Sequence, residues 1–279
     1  MLIVFRITHP LSIFIYLLKF SLIVKNCYNK YMFYFEKIDG KRVLKSDFIK
    51  NMEAFFTTRD ICICCKDIEI SQKDTTIELN KKIICKHLNI KEENLLSPTQ
   101  THTSNIHIAT GTKKSYPDTD ALILKDKNLG IFLNFADCTP VILYDEDQNI
   151  GAVAHAGWRG TAEKIGQKTI EKMIELYHSK PENIVAVIGP AIGFCCYNVG
   201  EEVYKKLYET VNDFSGLYEI RQGNIYVDLK NINRKQLEEI GVKKIDVCSY
   251  CTVCNNDLFF SYRKENATPY RHSAVIKLR

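Results

Sequence analysis

Blocks of apolar residues alternate with polar turns along most of the chain, and their spacing shifts between the period of strands and that of helices. The short apolar runs predict strands at 33–35, 42–44, 53–58, 106–109, 121–125, 130–135, 141–144, 150–154, 184–188, 245–248, 259–262 and 273–277. Helical spacing predicts helices at 75–88, 162–177, 201–211 and 229–240, the second of them capped by Thr161. Because strands and helices interleave without strict strand–helix–strand order, we expect a single α/β (α+β) domain with mixed β-sheets.

The first 31 residues differ from the rest in composition. They are largely apolar from residue 2 to residue 24, but the longest clean run, residues 11–18, is too short to span a bilayer. The segment could be a poor signal anchor, a membrane-surface helix, or an untranslated stretch before a true start at Met32. We favour the start at Met32, which divides the sequence into an apolar N-terminal extension, 1–31, and one main domain, 32–279.

The charge balance gives no support for a nucleic-acid partner. The formal net charge is +5, but residues 1–31 contain four basic residues and no acidic ones. The remaining 248 residues carry 34 basic and 33 acidic side chains and are therefore nearly neutral. The hydrophobic content of 46% is ordinary for a globular protein of this length.

A predicted hairpin brings a cysteine and a histidine together. Cys138 lies just before the strand at 141–144, and His155 follows the strand at 150–154. An antiparallel return makes the two side chains neighbours, as half of a metal site or as a nucleophile with its base. His102 could supply a third ligand, which is the pattern of a catalytic zinc site with one open position. Taken singly, each residue is more typical of a core or surface position.

Five segments together resemble the YfiH or laccase-domain family. They are Gln-Thr-His at 100–102, Ala-Asp-Cys-Thr-Pro at 136–140, His-Ala-Gly-Trp-Arg-Gly at 155–160, and the stretches 189–197 and 251–263. The similarity extends from about residue 55 to the C-terminus and implies two sheets packed between helices. It also implies that His102, Cys138 and His155 bind one metal ion.

The resemblance implies an activity, since this family has been described first as polyphenol oxidase and later as purine nucleoside phosphorylase and adenosine deaminase. We expect a Zn²⁺-dependent enzyme, with Cu²⁺ possible as the metal, that phosphorolyses adenosine, inosine and methylthioadenosine and deaminates adenosine to inosine. Its partners would be a purine nucleoside and phosphate, with no nucleic acid and, if the chain starts at Met32, no membrane. The family is cytoplasmic; a monomer and a homodimer both stay open.

Further residues are candidates for roles at this site, and Arg59 stands where the family has a Ser-Thr-Arg segment. Arg59 and Arg159 are candidates for the phosphate clamp, because a guanidinium is permanently charged and bidentate. Asp137 could orient a histidine or transfer a proton. The family's glutamate after Cys-Cys-Tyr is replaced by Asn198, and residues 268–272 stand where the family often has Thr-Gly-Arg. Both departures affect substrate detail and leave the metal ligands intact.

Other functions remain open. Cys138 and His155 could form a metal-free hydrolase acting on peptidoglycan precursors, a peptidoglycan editing factor. Copper-dependent polyphenol oxidation is disfavoured, because seven histidines are too few for several copper sites. A binding or assembly factor that senses nucleosides is the non-enzymatic alternative.

The eleven cysteines are an odd number in a chain that is not a short secreted scaffold, so we expect reduced thiols. Cys248, Cys251 and Cys254 form a C-x-x-C-x-x-C run, which we interpret as strand and turn sequence. A second metal site is the alternative, but the run shows no fourth ligand at motif spacing.

Overall fold

The computed structural model describes residues 33–279 except 68, 70–72, 113 and 114. Contacts group Phe33–Arg279 into one compact unit. The predicted extension 1–31 and the start at Met32 lie outside the described residues. In the described part of the chain, no helix is long and apolar enough to cross a membrane.

The described residues form sixteen strands and five α-helices. The strands are β1 Phe33–Ile38, β2 Lys41–Ser46, β3 Met52–Thr57, β4 Cys64–Cys65, β5 Leu95–Leu96, β6 Ile106–Ala109, β7 Ala121–Leu124, β8 Gly130–Phe135, β9 Thr139–Asp145, β10 Ile150–Ala156, β11 Ile184–Ile188, β12 Asn198–Val199, β13 Tyr218–Arg221, β14 Asn224–Val227, β15 Lys244–Val247 and β16 Tyr270–Leu278. The helices are α1 Thr75–Leu88, α2 Trp158–Ala162, α3 Ile165–Tyr177, α4 Glu201–Tyr208 and α5 Leu229–Glu239.

Two large mixed sheets and one small sheet organise these strands. The first has the order β1-β2-β3-β16-β8-β5, with β4 also paired to β16, and the second has the order β15-β11-β9-β10-β7-β6. Most neighbours are antiparallel, but β5 with β8, β6 with β7 and β11 with β15 are parallel. The third sheet is the antiparallel set β12-β14-β13.

The two large sheets pack face to face between helices, which confirms the expected fold. Their shared core contains Phe56 and Leu133 from the first sheet and Ile142 and Val153 from the second. The far face of the first sheet packs on α1, and the far face of the second packs on α3 and α5. Burying one such aliphatic or aromatic side chain contributes roughly 1.5–3 kcal/mol, so these layers stabilise most of the fold.

Local signals explain the elements that were predicted correctly. Helix α1 has the predicted bounds because the Asp74 side chain accepts a hydrogen bond from the Thr76 amide at its start. Asn89, in the left-handed conformation, ends it with its own amide bonded to two carbonyls.

Three predicted elements are wrong. The helix predicted at 162–177 begins only at Ile165, as α3, because Lys164 adopts a left-handed conformation with φ of 58°. Thr161 does not cap it but lies inside the separate helix α2, which was not predicted. Two side chains of α5 donate hydrogen bonds to Thr161 near the end of α2. Asn233 donates to the Thr161 hydroxyl, and Gln236 donates to the Thr161 carbonyl. Residues 259–262 form no strand, and α4 ends at Tyr208 instead of residue 211.

Candidate metal centre

The hairpin of β9 and β10 brings the predicted cysteine and histidine together, as expected. Its last register pairs are His155 with Pro140 and Ala156 with Thr139, and Cys138 directly precedes β9. His102 reaches the same point from the loop between β5 and β6, where its Nε2 lies 3.8 Å from the Cys138 Sγ. The ligand atoms of all three residues lie within 4.8 Å of one another.

Asp120 positions two of these three residues, through the side chain of one and the backbone around the other. Its Oδ1 is 2.7 Å from the Nδ1 of His155, which leaves the Nε2 of that ring for the cluster. Its Oδ2 accepts hydrogen bonds from the amides of Thr101 and Thr103, at 3.1 and 2.8 Å. These amides flank His102, whose backbone is left-handed with φ of 67°. Asp120 is completely buried, so its hydrogen bonds are shielded from water.

Each charged group of the cluster stabilises the ionised form of its neighbours. Burial opposes ionisation of the Cys138 thiol, but the charge of His155 and a hydrogen bond with His102 lower its pKa to about 6. Burial likewise opposes protonation of His155, but Cys138 and Asp120 raise its pKa to about 9. Burial of Asp120 is outweighed by its hydrogen bonds, and its pKa falls to about 2. Without metal, the cysteine and histidine are therefore a thiolate and an imidazolium between about pH 6 and 9.

A pH prediction follows for the metal-free protein. In chelator-treated protein, the rate of Cys138 alkylation by iodoacetamide should rise between pH 5 and 7 and then level off, because the thiolate is the reactive form. An ordinary cysteine, with a pKa of about 8.5, would continue to gain reactivity above pH 8. Peptide mass spectrometry after timed alkylation measures the rate at Cys138 itself. A midpoint near 8.5 would contradict the ion pair.

The cluster needs a glycine at position 157. A Cβ built there would lie 3.0 Å from the Cys138 Sγ and 3.2 Å from the His102 Cδ2. A Cβ at this position would therefore require Cys138 and His102 to shift by a few tenths of an ångström.

The donor set suits a single zinc ion. Zinc prefers cysteine sulfur and histidine nitrogen, and its catalytic sites keep a fourth position open beside three protein ligands. The buried carboxylate on the far nitrogen of His155 is the partner that zinc-bound histidines usually have. Copper fits the same donors, since it binds such sites more tightly than zinc.

The three residues open onto a cavity of about 420 Å³ between the ends of the two large sheets. This volume lies within the range of about 300–1,000 Å³ that small-molecule sites have. The cavity is lined by Lys66, His102, Asn134, Ala136, Asp137, Cys138, His155, Ile192, Tyr197, Tyr262, Arg263 and Arg271. A larger cavity of about 730 Å³ near α1 contains Glu78, Lys81 and Glu92, but its lining includes none of the three clustered residues.

Asp137 lies in this cavity but does not orient a histidine. Its Oδ1 accepts from the Thr252 hydroxyl at 2.6 Å, and its Oδ2 accepts from the Arg263 amide at 2.7 Å. The orienting role that the sequence analysis offered to Asp137 belongs to Asp120 in the case of His155. A carboxylate has about four acceptor positions, so Asp137 can still accept a proton from a bound ligand.

Arg59 and Arg159 are not among the residues that line this cavity. Arg59 lies in another cavity, where it pairs with Glu265, donates to the Asn256 carbonyl and stacks on Phe260. Arg159 is exposed and stacks on the ring of Trp158. The prediction that they clamp phosphate at this site is not supported by their positions.

The cations that do line the cavity are Lys66, Arg263 and Arg271, which the sequence analysis missed as site residues. Arg263 donates to the Asn198 side chain at 2.6 Å. Arg271 is buried on β16 and donates to the carbonyls of Thr268 and Tyr270. Arg263 ends the segment 251–263, which matches the family, and Arg271 lies in the segment 268–272, which departs from it. These two segments were the available sequence signal for the arginines.

Comparisons with known proteins identify the family and the fold of the chain. Residues 66–279 match the family model described as "Multi-copper polyphenol oxidoreductase laccase". The chain is 28% identical over 249 residues to purine nucleoside phosphorylase YlmD of Bacillus subtilis, covering 82% of this chain and 90% of that one. It is 29% identical to adenosine deaminase RL5 of an unknown prokaryotic organism, covering 79% of this chain and 92% of that one. The crystal structure of the hypothetical protein YfiH of Bacillus licheniformis superposes with a TM-score of 0.80 and 30% identity, covering 88% of this chain and 99% of that one.

Proposed function

The chain belongs to the multi-copper polyphenol oxidoreductase laccase family, and we propose that it is a metal-dependent enzyme of purine nucleosides. The names of its relatives, purine nucleoside phosphorylase and adenosine deaminase, support this substrate class. The observation that carries the proposal is one cavity in which two histidines and a cysteine lie beside two arginines and a lysine.

His102, Cys138 and His155 would hold the metal ion, with zinc as the expected ion. When bound, zinc lowers the pKa of water toward about 7 and polarises a nearby electrophile. The low pKa of Cys138 supplies the thiolate, and Asp120 keeps a proton on Nδ1 of His155, so His155 gives up only its Nε2 proton when the ion binds. The ligands therefore need little rearrangement to receive the ion.

Deamination is the first proposed reaction. Water adds to C6 of adenosine, ammonia leaves, and inosine remains. Asp137 would accept the proton of the attacking water and return it to the leaving nitrogen, since it lies among the residues that line the cavity. Its bonds to Thr252 and to the Arg263 amide hold it beside Cys138 during this transfer.

Phosphorolysis is the second proposed reaction. Phosphate attacks C1′ of the ribose, the bond to the purine nitrogen breaks, and ribose 1-phosphate and the free base result. Arg263 and Arg271 would bind the phosphate, because guanidinium groups bind phosphate bidentately. Arg263 donates a hydrogen bond to the neutral side chain of Asn198, which does not neutralise the positive charge of Arg263. The family's glutamate at this position would instead neutralise it.

Replacing Arg263 with glutamine should separate the two reactions. We expect kcat/KM for phosphorolysis to fall roughly 10- to 100-fold, as loss of a charge-assisted hydrogen bond predicts. Deamination of adenosine without phosphate should change far less. The measurement is steady-state kinetics with varied phosphate, and Arg159→Gln is the matched control because Arg159 is exposed outside the cavity. Equal losses in both reactions, or a larger loss in the control, would contradict the assignment of Arg263.

A metal-free hydrolase acting on peptidoglycan precursors is the second candidate. The observation in its favour is the Cys138–His155 ion pair, which is also how a cysteine nucleophile is activated. His102 argues for the metal, because a cysteine–histidine pair has no need of a second imidazole 3.8 Å from its sulfur.

Product analysis tests the proposal. Adenosine and inosine are incubated with the protein, with and without phosphate, and the purines are separated by chromatography. Inosine formed from adenosine without phosphate supports deamination, and adenine or hypoxanthine formed only with phosphate supports phosphorolysis. Absence of every purine product from zinc-containing protein would overturn the proposed substrate class.

A further inference from the structure

Four cysteines outside the metal centre converge at one edge of the second large sheet. Strands β11 and β15 are parallel neighbours, so the loops that follow them leave from the same edge. The first loop carries Cys195 and Cys196, and the second carries Cys251 and Cys254. Their four Sγ atoms all lie within 4.8 Å of one another, although the loops are more than fifty residues apart.

Backbone hydrogen bonds shape both loops. The amides of Cys196 and Tyr197 donate to the Gly193 carbonyl, which folds the first loop into a turn. The amide of Asn255 donates to the Cys251 carbonyl and shapes the second loop in the same way. A bridge between Ala191 and Cys251 joins the loops, with the Thr252 amide donating to the Ala191 carbonyl at 3.0 Å. The four thiols are therefore placed by the fold.

Gly193 lets the loops approach closely. A Cβ at this position would lie 2.9 Å from the Cys251 Cβ and 3.2 Å from the Cys195 Sγ. The Gly193 amide donates to the Cys251 Sγ at 3.2 Å, and amide donors of this kind stabilise metal-bound thiolates.

The sulfur separations match a single tetrahedral ion. The Cys254 Sγ is 3.6 Å from that of Cys195 and 3.5 Å from that of Cys196. Zinc–sulfur bonds of about 2.3 Å at tetrahedral angles give sulfur–sulfur separations of roughly 3.8 Å. Such a small set has no room for a multi-iron cluster, whose cysteines bind different irons.

We propose that Cys195, Cys196, Cys251 and Cys254 bind one Zn²⁺ ion as a closed, structural tetrathiolate site. The C-x-x-C-x-x-C run supplies two of these ligands, Cys251 and Cys254. Its first cysteine, Cys248, is buried in the inter-sheet core and is not a ligand. The missing ligands come from the Cys-Cys pair of the other loop. Because four protein ligands fill the tetrahedral shell, this ion has no open position for a substrate.

The site would stabilise one wall of the catalytic cavity. The first loop also carries Ile192, whose amide donates to the Asp137 carbonyl, and the second carries Thr252, whose hydroxyl donates to the Asp137 carboxylate. Asp137 directly precedes Cys138. Zinc between the loops therefore fastens the two segments that position the turn at Cys138.

Metal counting on the full-length, untagged protein tests the proposal. Mass spectrometry of metals should find two zinc ions per chain in the parent protein and one in Cys138→Ala. The double variant Cys195→Ser, Cys254→Ser should also lose one ion and keep the ion held by His102, Cys138 and His155. Cys65→Ser is the control, since this half-buried cysteine belongs to neither cluster, and it should keep both ions.

Cobalt gives a second readout that does not depend on activity. Co²⁺ added to metal-free Cys138→Ala should produce a strong thiolate-to-metal charge-transfer absorption, which is absent from the triple variant with Cys195→Ser and Cys254→Ser. An unchanged spectrum in the triple variant would overturn the site. So would a parent protein that has no second metal ion and lacks two free thiols, since that result assigns the cluster to a disulfide. These outcomes are independent of whether the protein acts on purines.

Discussion

Cys138→Ala should lower kcat/KM for adenosine about a thousand-fold, which corresponds to about 4 kcal/mol of lost transition-state stabilisation. The substitution removes the one anionic ligand of the triad and leaves two imidazoles. It also removes the thiolate that raises the pKa of His155. Zinc at the triad should be lost in parallel, and metal content and turnover should be measured on the same preparations.

The control for this prediction is Cys65→Ser. Cys65 is half-buried on β4 and belongs to neither cysteine-containing ligand cluster, so its variant should keep both metal and activity. Full purine turnover by Cys138→Ala would contradict the role of the triad. Loss of turnover with the triad's metal retained would favour Cys138 as a nucleophile.

Asp120→Asn should lower the affinity of the triad for zinc by about 10- to 100-fold, the range known for outer partners of metal ligands. An asparagine has one acceptor oxygen where aspartate has two. If the oxygen faces the amides of Thr101 and Thr103, the new NH₂ group faces the Nδ1 of His155. His155 must then accept at Nδ1 and carry its proton on Nε2, the nitrogen needed for the metal. The opposite orientation leaves the two amides facing another donor, at a cost of about 1–3 kcal/mol in unfolding free energy.

Competition with a chromophoric chelator measures this affinity, and thermal unfolding measures the stability. Asp118→Asn is the matched control, because Asp118 is a nearby aspartate that accepts from Thr101 and Asn105 through the same loop. Asn is also well suited to its left-handed backbone, with φ of 47°. Equal zinc affinity in Asp120→Asn and the parent would contradict the positioning role.

Local patterns were enough to bring two of the three residues of the candidate metal cluster together. The hairpin of β9 and β10 is encoded by two apolar runs around a polar turn, and this alone brings Cys138 beside His155. Helix α1 was predicted with its correct bounds because its cap and its end are both local signals. His102 required the family resemblance, since it approaches from a distant loop.

Long-range partners could not be predicted in this way. Asp120 contacts His155, which lies thirty-five residues later in the chain. The sequence around either residue does not indicate that the two form a hydrogen bond. Arg263 and Arg271 reach the cavity because β16 and the preceding loop fold beside the β9–β10 hairpin. Arg59 was preferred over them on motif similarity, and tertiary contacts with Glu265 and Phe260 hold it elsewhere.

The errors in secondary structure have the same origin. The apolar stretch 259–262 has the composition of a strand, but side chains bind its backbone. Asn256 donates to the Phe259 carbonyl, and Glu265 accepts from the Ser261 amide. The break between α2 and α3 likewise depends on side chains of α5, which are distant in sequence.

The central claim is that a metal ion held by His102, Cys138 and His155 is needed for turnover of purine nucleosides. The most direct measurement removes the metal with a chelator, verifies its removal by mass spectrometry, and follows adenosine consumption as zinc is returned. Our account predicts no turnover without metal, recovery with added zinc, and no recovery in Cys138→Ala treated in parallel. Undiminished turnover by protein verified to be metal-free would contradict it and favour metal-free catalysis by the Cys138–His155 pair.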